Sequence, residues 1–269
     1  MKRFILFAVL IVACLSATAV IGWALRNGSS NSTRPSDNLV TRDINTGHFN
    51  EIRAYRINVV YTQSENFSAT LEAPDNIIDL IEISNQNGKL VIAEDKDKNL
   101  PRHNLKATLT LSSPYVEEIT AGVSAKVSMP EPYVSDSKLE VSATTGSRIS
   151  IASAKVAEFS AETSTGSNIE ADSIMAVREA DIETSTGSSI EISKLCAAEL
   201  ELKSSTGSRA EIGGGAISVM KAEANTGASA YIMATVDNAS TKATTGARIK
   251  CPNANLSKVK RTTGGSVDQ

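Results

Sequence analysis

The sequence predicts an all-β protein, a single-stranded parallel β-helix (solenoid) with coils of about 20 residues. Three observations lead to this prediction. Thr-Gly pairs recur through the second half of the chain, with their glycines 18 to 21 residues apart. Apolar and polar residues alternate on both sides of each pair, as in strands with one buried face. No helical pattern of useful length follows the first 25 residues.

Alignment on the glycines shows which positions would face inward. The columns three and five residues after the glycine hold mainly Ile and Ala, from Ile149 and Ile151 to Ile249 and Cys251. One coil cannot bury its own apolar face, whereas stacked coils can. Twenty residues give a path of roughly 65 Å, which fits a flattened or triangular coil with coils about 4.8 Å apart. A propeller would need about twice this period.

The repeated glycines are predicted to be coil corners, because glycine accepts a positive φ or a close backbone approach. The predicted corner glycines are Gly122, Gly146, Gly166, Gly187, Gly207, Gly227, Gly246 and Gly264. Gly122 would be an early, irregular corner, since it lies 24 residues before Gly146. The threonines Thr145, Thr165 and Thr186 would stack in one column, with hydroxyls bonding from coil to coil.

The segment before the regular coils is predicted to be a less regular β region. Residues 43–130 offer strands around Ile57–Tyr61 and Phe67–Leu71 and a hairpin turning at Asn87-Gly88. Antiparallel elements here would cover the open edge of the stack, which otherwise invites aggregation. Residues 131–269 would form the regular coils. Within them, "GGG" (213–215) precedes no helix and is predicted to be an irregular corner rather than a phosphate loop.

The N-terminus predicts export. Lys2 and Arg3 precede an uncharged stretch, Phe4–Leu25, that reads as a signal and lies outside the fold. Three fates stay open for residues 1–25. "IVAC" resembles a lipobox that would lipidate Cys14, "ATA" (17–19) offers an ordinary cleavage site, and the whole stretch is long enough to span a bilayer uncleaved. Residues 26–42, polar at their start, would be a flexible tether.

The net charge argues against nucleic acid as a partner, and the placement of the cysteines argues against a disulfide bond. A formal net charge of −3 predicts no nucleic-acid binding and membrane contact only through the N-terminal segment. Cys196 and Cys251 fall three coils apart, about 14 Å along the axis, which is beyond disulfide reach. We therefore expect two unpaired thiols, with Cys251 buried.

Candidate chemical sites are weak, so we expect no catalytic residue, no cofactor and no metal. A serine nucleophile needs a nearby base, but His48 and His103 both precede the regular coils. Charged "EDKDK" (94–98) is expected to be a solvated turn. Low aromatic content, 4%, argues against a large cofactor pocket and against platforms for sugar stacking. Carboxylates alternate with inward aliphatics, and no pair stands out among Glu162, Glu170, Asp172, Asp181, Glu183 and Glu191.

The order of the segments resembles a known family. "INVVYTQSENFSATLEAP", "NGKLVIAED", "LKATLTLSSPYVEEITAGVSAKV" and then the repeated "TGS-x-I-x-I" coils are similar to the putative auto-transporter adhesin, head GIN domain family, over about residues 43–269. The resemblance implies a right-handed single-stranded β-helix and a role in adhesion at the bacterial surface. It supplies no functional residues. No membrane-barrel translocator is expected after Gln269.

We therefore expect an exported cell-envelope protein, adhesin-like and without catalysis, in the periplasm, outer membrane or cell surface. It would bind an unknown macromolecule, a glycan or an envelope or surface protein, through one face of the β-helix. A carbohydrate-active β-helix enzyme of the lyase or hydrolase type is the alternative, and two carboxylates converging in a cleft would favour it. An envelope assembly or stress accessory factor is a further alternative.

Overall fold

A computed structural model describes residues 34–94 and 105–269 of the chain. Cys14, the predicted signal segment, His103 and most of the charged 94–98 stretch lie outside the described residues. No helix in the described part is long and apolar enough to cross a membrane.

Twenty strands and a single 3-10 turn follow one another in this part of the chain. They are β1 (Leu39–Asp43), β2 (Glu51–Tyr55), β3 (Asn58–Gln63), β4 (Ser68–Pro74), the 3-10 turn (Ile78–Leu80), β5 (Ile81–Gln86), β6 (Lys89–Glu94), β7 (Thr108–Ser113), β8 (Glu118–Gly122), β9 (Lys126–Val134), β10 (Lys138–Thr144), β11 (Arg148–Ser164), β12 (Asn168–Thr184), β13 (Ser189–Ser204), β14 (Arg209–Ile212), β15 (Gly215–Ala224), β16 (Ser229–Ile232), β17 (Thr235–Thr244), β18 (Arg248–Lys250), β19 (Ala254–Thr262) and β20 (Ser266–Asp268).

From β8 onward the strands stack in parallel as coils. Val141 pairs with Ala161, Ala161 with Ile182, and Ile182 with Leu202, so each coil places the same column one layer further along the axis. The long strands β11, β12 and β13 each cover two sides of a coil, whereas later coils divide the same path between two strands. The result is a β-solenoid of about eight turns, which confirms the predicted fold class.

The core of the solenoid consists of the predicted inward columns. Ile149, Ile169 and Ile190 are at most 1% exposed, and Cys251, which ends the neighbouring column, is fully buried. Cys251 and the half-buried Cys196 are unpaired, as predicted. Small and branched side chains fill the interior because facing sides of a coil lie close together.

The N-terminal region departs from the parallel pattern and covers one end of the stack. Strand β4 pairs antiparallel with both β1 and β7, and β5 pairs antiparallel with β6. Asn87 and Gly88 turn the β5–β6 hairpin with φ of 55° and 86°, the left-handed pair that a two-residue hairpin favours. Strand β1 overlaps the end of the range predicted as a tether, so the folded part begins earlier than expected.

The corners of the regular coils are left-handed Thr-Gly pairs. Thr165 has a φ of 52° and Gly166 of 67°, and the corners at Gly146, Gly187, Gly207, Gly227, Gly246 and Gly264 share this geometry. Gly122 differs from the prediction, because it ends β8 and the positive φ falls on Val123 and Ser124. An added Cβ on Gly122 would lie 2.7 Å from the Tyr55 ring, so close packing explains this glycine.

At the described corners, no hydroxyl of the threonine before the glycine bonds to a neighbouring coil, contrary to the prediction. The amide of Gly166 donates to the carbonyl of Thr186 at 3.2 Å, and the other corners repeat this bond. The left-handed backbone leaves the side chain of Thr186 exposed and turns the residue after the glycine, here Ser188, inward. Ser167, 2% exposed, donates to the carbonyl of Ala143 in the preceding coil at 2.6 Å.

The C-terminal end of the stack has an open strand edge. Among the described residues, β19 pairs with β17 on one side and has no strand on the other. Arg261 stands in an inward column, opposite Ala243, and its guanidinium donates to the carbonyl of Val267 at 2.8 Å. An inward-pointing charge of this kind protects an edge from pairing with further strands.

Candidate functional site: a charged sheet face

One flat face of the solenoid carries a continuous charged surface. It is formed by the outward side chains four and six residues before each corner glycine, which we call the pre-corner face. Its members are Glu140, Ser142, Ser160, Glu162, Asp181, Glu183, Glu201, Lys203, Lys221, Glu223, Ser240, Lys242, Lys258 and Lys260. They point outward because they alternate with buried residues along each strand.

Ion pairs join four successive coils across the middle of this face. The ammonium of Lys203 lies 2.8 Å from Glu183 and 3.3 Å from Glu201. Lys221 bridges Glu201 at 2.9 Å and Glu223 at 3.6 Å.

The chain of ion pairs ends at Lys242, which contacts Glu223 at 2.9 Å. The hydrogen bond from Lys221 lowers the pKa of the Glu201 carboxyl. In the same way, the hydrogen bond from Lys242 lowers the pKa of Glu223. The middle of the face is therefore internally compensated.

The end of the face nearer the N-terminus has uncompensated acidic groups. Among the described residues, Glu162 and Asp181 take no part in this chain of ion pairs, and the Lys203 charge offsets only part of the acidic surroundings of Asp181. Burial, and then the nearby Glu183 carboxylate, raises the pKa of Glu162. Burial, followed by repulsion from Glu179 and Glu201, raises the pKa of Asp181 to about 6.

The opposite end of the face has uncompensated bases. Lys258 and Lys260 stand on β19 opposite Ser240 and Lys242, and both are exposed. No ion pair reaches either lysine from the part of the chain that the structure describes. The face is thus a dipole, acidic at the coils of Gly166 and Gly187 and basic at the coil of Gly264.

A groove of about 210 Å³ lies in the middle of the face. Its walls include Glu162, Glu183, Lys203, Glu223 and Asn225, and buried or half-buried Ser and Thr residues complete the lining. The groove follows the solenoid axis, since these residues occupy the same columns of successive coils. Every residue in its lining carries a polar group, which suits a ligand that forms hydrogen bonds.

A second hollow lies at the N-terminal cap. It is lined by residues 43–48 and by Phe67, whose ring contacts that of His48 edge-on at 4.5 Å. His48 is therefore held at the cap, away from the corner serines of the regular coils.

The structure separates the six carboxylates singled out in the sequence. Glu162, Asp181 and Glu183 lie on the pre-corner face, whereas Glu170, Asp172 and Glu191 follow their corner glycines on another side of the coil. Sequence reasoning missed the charge reversal along the face. Alignment of the columns four and six residues before the glycines shows that signal, because both columns change from acid to lysine toward the C-terminus.

The nearest approach to a metal site is a group of three carboxylates. Ligand atoms of Glu179, Asp181 and Glu201 lie within 4.8 Å of one another. Calcium takes about six to eight oxygen ligands, and Glu201 is already bound by two lysines. The group fits a resident cation poorly, and its closeness follows from the stacking of like residues in adjacent coils.

The same carboxylates do not face each other across a cleft. Asp181 and Glu201 are register partners on neighbouring parallel strands, and Glu179 precedes Asp181 by two residues on the same side of β12. Paired-carboxylate hydrolysis needs groups on opposite sides of the bond that is cleaved. What the face offers is a long, flat array of charges and hydrogen-bonding groups.

Fold and face together define a repeat protein with an extended contact surface, the class to which β-solenoid binding proteins belong. The family model described as "Putative auto-transporter adhesin, head GIN domain" matches residues 48–215. The chain belongs to this family, which confirms the resemblance noted in the sequence. Membership indicates an exported or surface protein of adhesin type. No match is found among curated proteins.

Solved structures share the fold. The chain is similar to a putative adhesin from Parabacteroides distasonis ATCC 8503, with a TM-score of 0.77, 18% identity and coverage of 88% of this chain and 99% of that one. It is also similar to a putative adhesin from Parabacteroides merdae ATCC 43184, with a TM-score of 0.73, 18% identity and coverage of 89% of this chain and 99% of that one. A protein called putative lipid binding protein, from Parabacteroides distasonis ATCC 8503, has a TM-score of 0.73 and 15% identity, with coverage of 88% of this chain and 99% of that one. At these identities the likeness shows the fold alone.

Proposed function

We propose that the protein is a non-enzymatic, adhesin-like component of the cell envelope that binds a macromolecule through the pre-corner face. The observation that carries this proposal is the chain of ion pairs with uncompensated acids at one end and uncompensated lysines at the other. Charges left without partners on a flat exposed face are available to an incoming surface, where they steer association and fix its orientation.

The chemistry of the face favours a protein partner over a neutral glycan. No aromatic residue belongs to the pre-corner face, so the stacking platforms that sugars use are missing from it. Its groove instead offers serine, threonine, asparagine and carboxylate groups beside lysine. Such a surface recognises a partner that carries fixed charges of both signs.

Family membership and the N-terminal signal support a position at the cell envelope. We place the solenoid outside the cytoplasm, held near a membrane by the N-terminal segment, with Cys14 as a candidate lipid attachment site. The putative lipid binding protein shares only the fold with this chain, and the binding that its name states concerns that protein alone.

Binding assays on the purified exported chain test the proposal. We expect retention by whole cells or envelope proteins that falls when Glu162 and Asp181 are changed to Lys or when Lys258 and Lys260 are changed to Glu. We expect the chain to bind none of the glycans on an array of neutral sugars. If neither pair of substitutions lowers the retention, the assignment of binding to this face is wrong.

A carbohydrate-active enzyme remains the second candidate, because Asp181 combines a raised pKa with two neighbouring carboxylates beside a groove. Release of reducing ends or of unsaturated uronides from a panel of charged polysaccharides would detect such an activity. An activity that disappears in Asp181→Asn and Glu162→Gln would replace the binding proposal. We expect none above the buffer control.

A further inference from the structure

We propose that the partner of the pre-corner face is a second copy of this chain, packed antiparallel in a two-fold symmetric pair. This inference rests on the proposed function, since it names the macromolecule that the face binds. It follows from the position of the uncompensated charges, which make the face complementary to itself.

Rotation by 180° about an axis that lies in the interface, at right angles to the solenoid axis, lays the face of one copy against that of the other with opposite ends together. With the axis between the coils of Gly207 and Gly227, the coil of Gly166 in one copy faces the coil of Gly264 in the other. The unpaired carboxylate of Glu162 then lies in the zone of Lys258 and Lys260. The contact occurs twice, as an isologous interface requires.

The coil of Gly187 supplies the adjoining contact. It carries Asp181, whose charged form is disfavoured by the neighbouring Glu179 and Glu201. In the antiparallel pair it faces the coil of Gly246, where Lys242 ends the chain of ion pairs with Glu223 as its partner within the same copy. A cation from the second copy would relieve the repulsion that the single chain leaves uncompensated.

A parallel pair would oppose this arrangement. Copies stacked in the same direction would place Glu162 against Glu162 and Lys260 against Lys260, and like charges in contact across an interface are costly. The charge pattern therefore selects one of the two orientations.

The middle of the face is suited to the centre of such an interface. Its ion pairs are already satisfied within one chain, so no buried charge is left without a partner. The groove at this point is lined by Ser185, Ser205 and Asn225, which can exchange hydrogen bonds with a second copy.

The face is large enough for a weak, reversible pair. The six overlapping coils, from that of Gly166 to that of Gly264, give about 29 Å along the axis, and seven strand residues give about 20 Å across it. About 600 Å² per copy would be buried, which lies at the lower end of specific interfaces. We therefore expect a micromolar Kd that weakens with salt.

Charge-swapped variants test the inference. One variant carries Glu162→Lys and Asp181→Lys, which makes both ends of the face basic. The other carries Lys258→Glu and Lys260→Glu, which makes both ends acidic. In an antiparallel pair each variant repels itself, whereas an equimolar mixture restores complementary ends. Matched controls reverse charges elsewhere, with Lys155→Glu and Lys194→Glu or with Glu170→Lys and Glu191→Lys.

Sedimentation equilibrium of the exported chain supplies the measurement. We expect the original chain to dimerise at about 0.1 M salt and to dissociate near 1 M, where the Debye length falls to about 3 Å. Each face variant should show a Kd at least about tenfold higher. The mixture should form a 1:1 heterodimer, and the control variants should dimerise like the original chain.

Three results would overturn the inference. They are a chain that stays monomeric up to roughly 1 mM at low salt, face variants that dimerise like the original, and a mixture that forms no heterodimer. Near-UV circular dichroism of each variant shows whether it is folded, so a misfolded variant is not mistaken for a dissociated one. A monomeric chain whose face variants lose binding to cells would overturn the self-pairing and leave the proposed function standing.

Discussion

The hydroxyl of Ser167 donates to the carbonyl of Ala143 at 2.6 Å and accepts from the amide of Ser164 at 3.1 Å. One buried side chain thus ties its own corner to the preceding coil. Ser147, Ser188 and Ser208 repeat the arrangement, whereas Ala228 and Ala247 occupy the same place in later coils. The alanines show that the chain can omit this bond at single corners.

Ser167→Ala should therefore destabilise the protein by about 1–2 kcal/mol, because it removes the buried hydroxyl that bonds the Ala143 carbonyl and the Ser164 amide. Urea denaturation measures the loss. Ser193→Ala is the matched control, since Ser193 is exposed, and it should change stability by less than about 0.5 kcal/mol. Equal losses at both positions would show that the corner bond adds no stability.

Thr206→Asn should stabilise the protein by about 0.5–1 kcal/mol. Thr206 is exposed with a φ of 52°, and a β-branched residue in the left-handed region costs about 1–2 kcal/mol, which Asn partly avoids. Thr235→Asn, at an exposed site in β17, should instead destabilise slightly, because Asn is unfavourable in strands. The comparison of the two melting temperatures decides whether backbone strain is the cause.

Two glycines should respond very differently to alanine. Gly166→Ala has open space around the added Cβ and should cost only the left-handed penalty of about 1–2 kcal/mol. At Gly215, which has a φ of 116°, a Cβ would lie 1.9 Å from the carbonyl oxygen of Leu195. Gly215→Ala should cost at least about 3 kcal/mol or prevent folding. Similar unfolding midpoints for the two variants would rule out this clash.

Asp181 should make the protein less stable as the pH rises. Its pKa is raised in the folded state to about 6, so the folded chain binds the proton more tightly than the unfolded chain between about pH 4 and 6. Stability contributed by the protonated form is present below about pH 4 and is lost above about pH 6. Solvent screening limits the effect to about 1–2 kcal/mol.

Asp181→Asn should remove this loss and gain stability at pH 7.5 relative to pH 5. Urea midpoints at the two pH values measure the difference. Glu223→Gln is a contrasting variant, because Lys242 lowers the pKa of Glu223 and that contribution falls as the pH falls. A pH slope unchanged in Asp181→Asn would contradict the assignment.

The N-terminal anchor has its own test. If Cys14 is the lipid site, labelled palmitate should enter the exported chain and disappear in Cys14→Ala. Label that survives the substitution rules out Cys14. Cys196→Ala serves as the control, since the half-buried thiol of Cys196 lies on the solenoid.

Much of the fold could be predicted from the period and the inward columns. Ile149, Ile169 and Cys251 were placed correctly because alternation and spacing fix which side chains face inward. The Asn87-Gly88 hairpin was predicted for a similarly local reason, since those residues favour the required backbone.

Other features depend on geometry that one strand does not reveal. The inward position after a corner glycine, where Ser167 stands, follows from two successive left-handed residues. The need for Gly122 comes from the Tyr55 ring of another strand. The two ends of the charged face were hidden by the net charge of −3, which sums over both. Their separation appears only when coils are stacked in register.

The irregular corner at 213–215 has a mechanical consequence. Each coil contacts only its neighbours, so tension along the axis passes through the coil interfaces in series, and the weakest interface limits the load. Strand β13 runs unbroken for 16 residues, whereas the next coil divides its path into β14 and β15, of four and ten residues, with Gly213 and Gly214 between them outside any strand. A tethered molecule pulled at its two ends should first part among the divided coils that begin at this corner, while the unbroken strands β11 to β13 stay stacked.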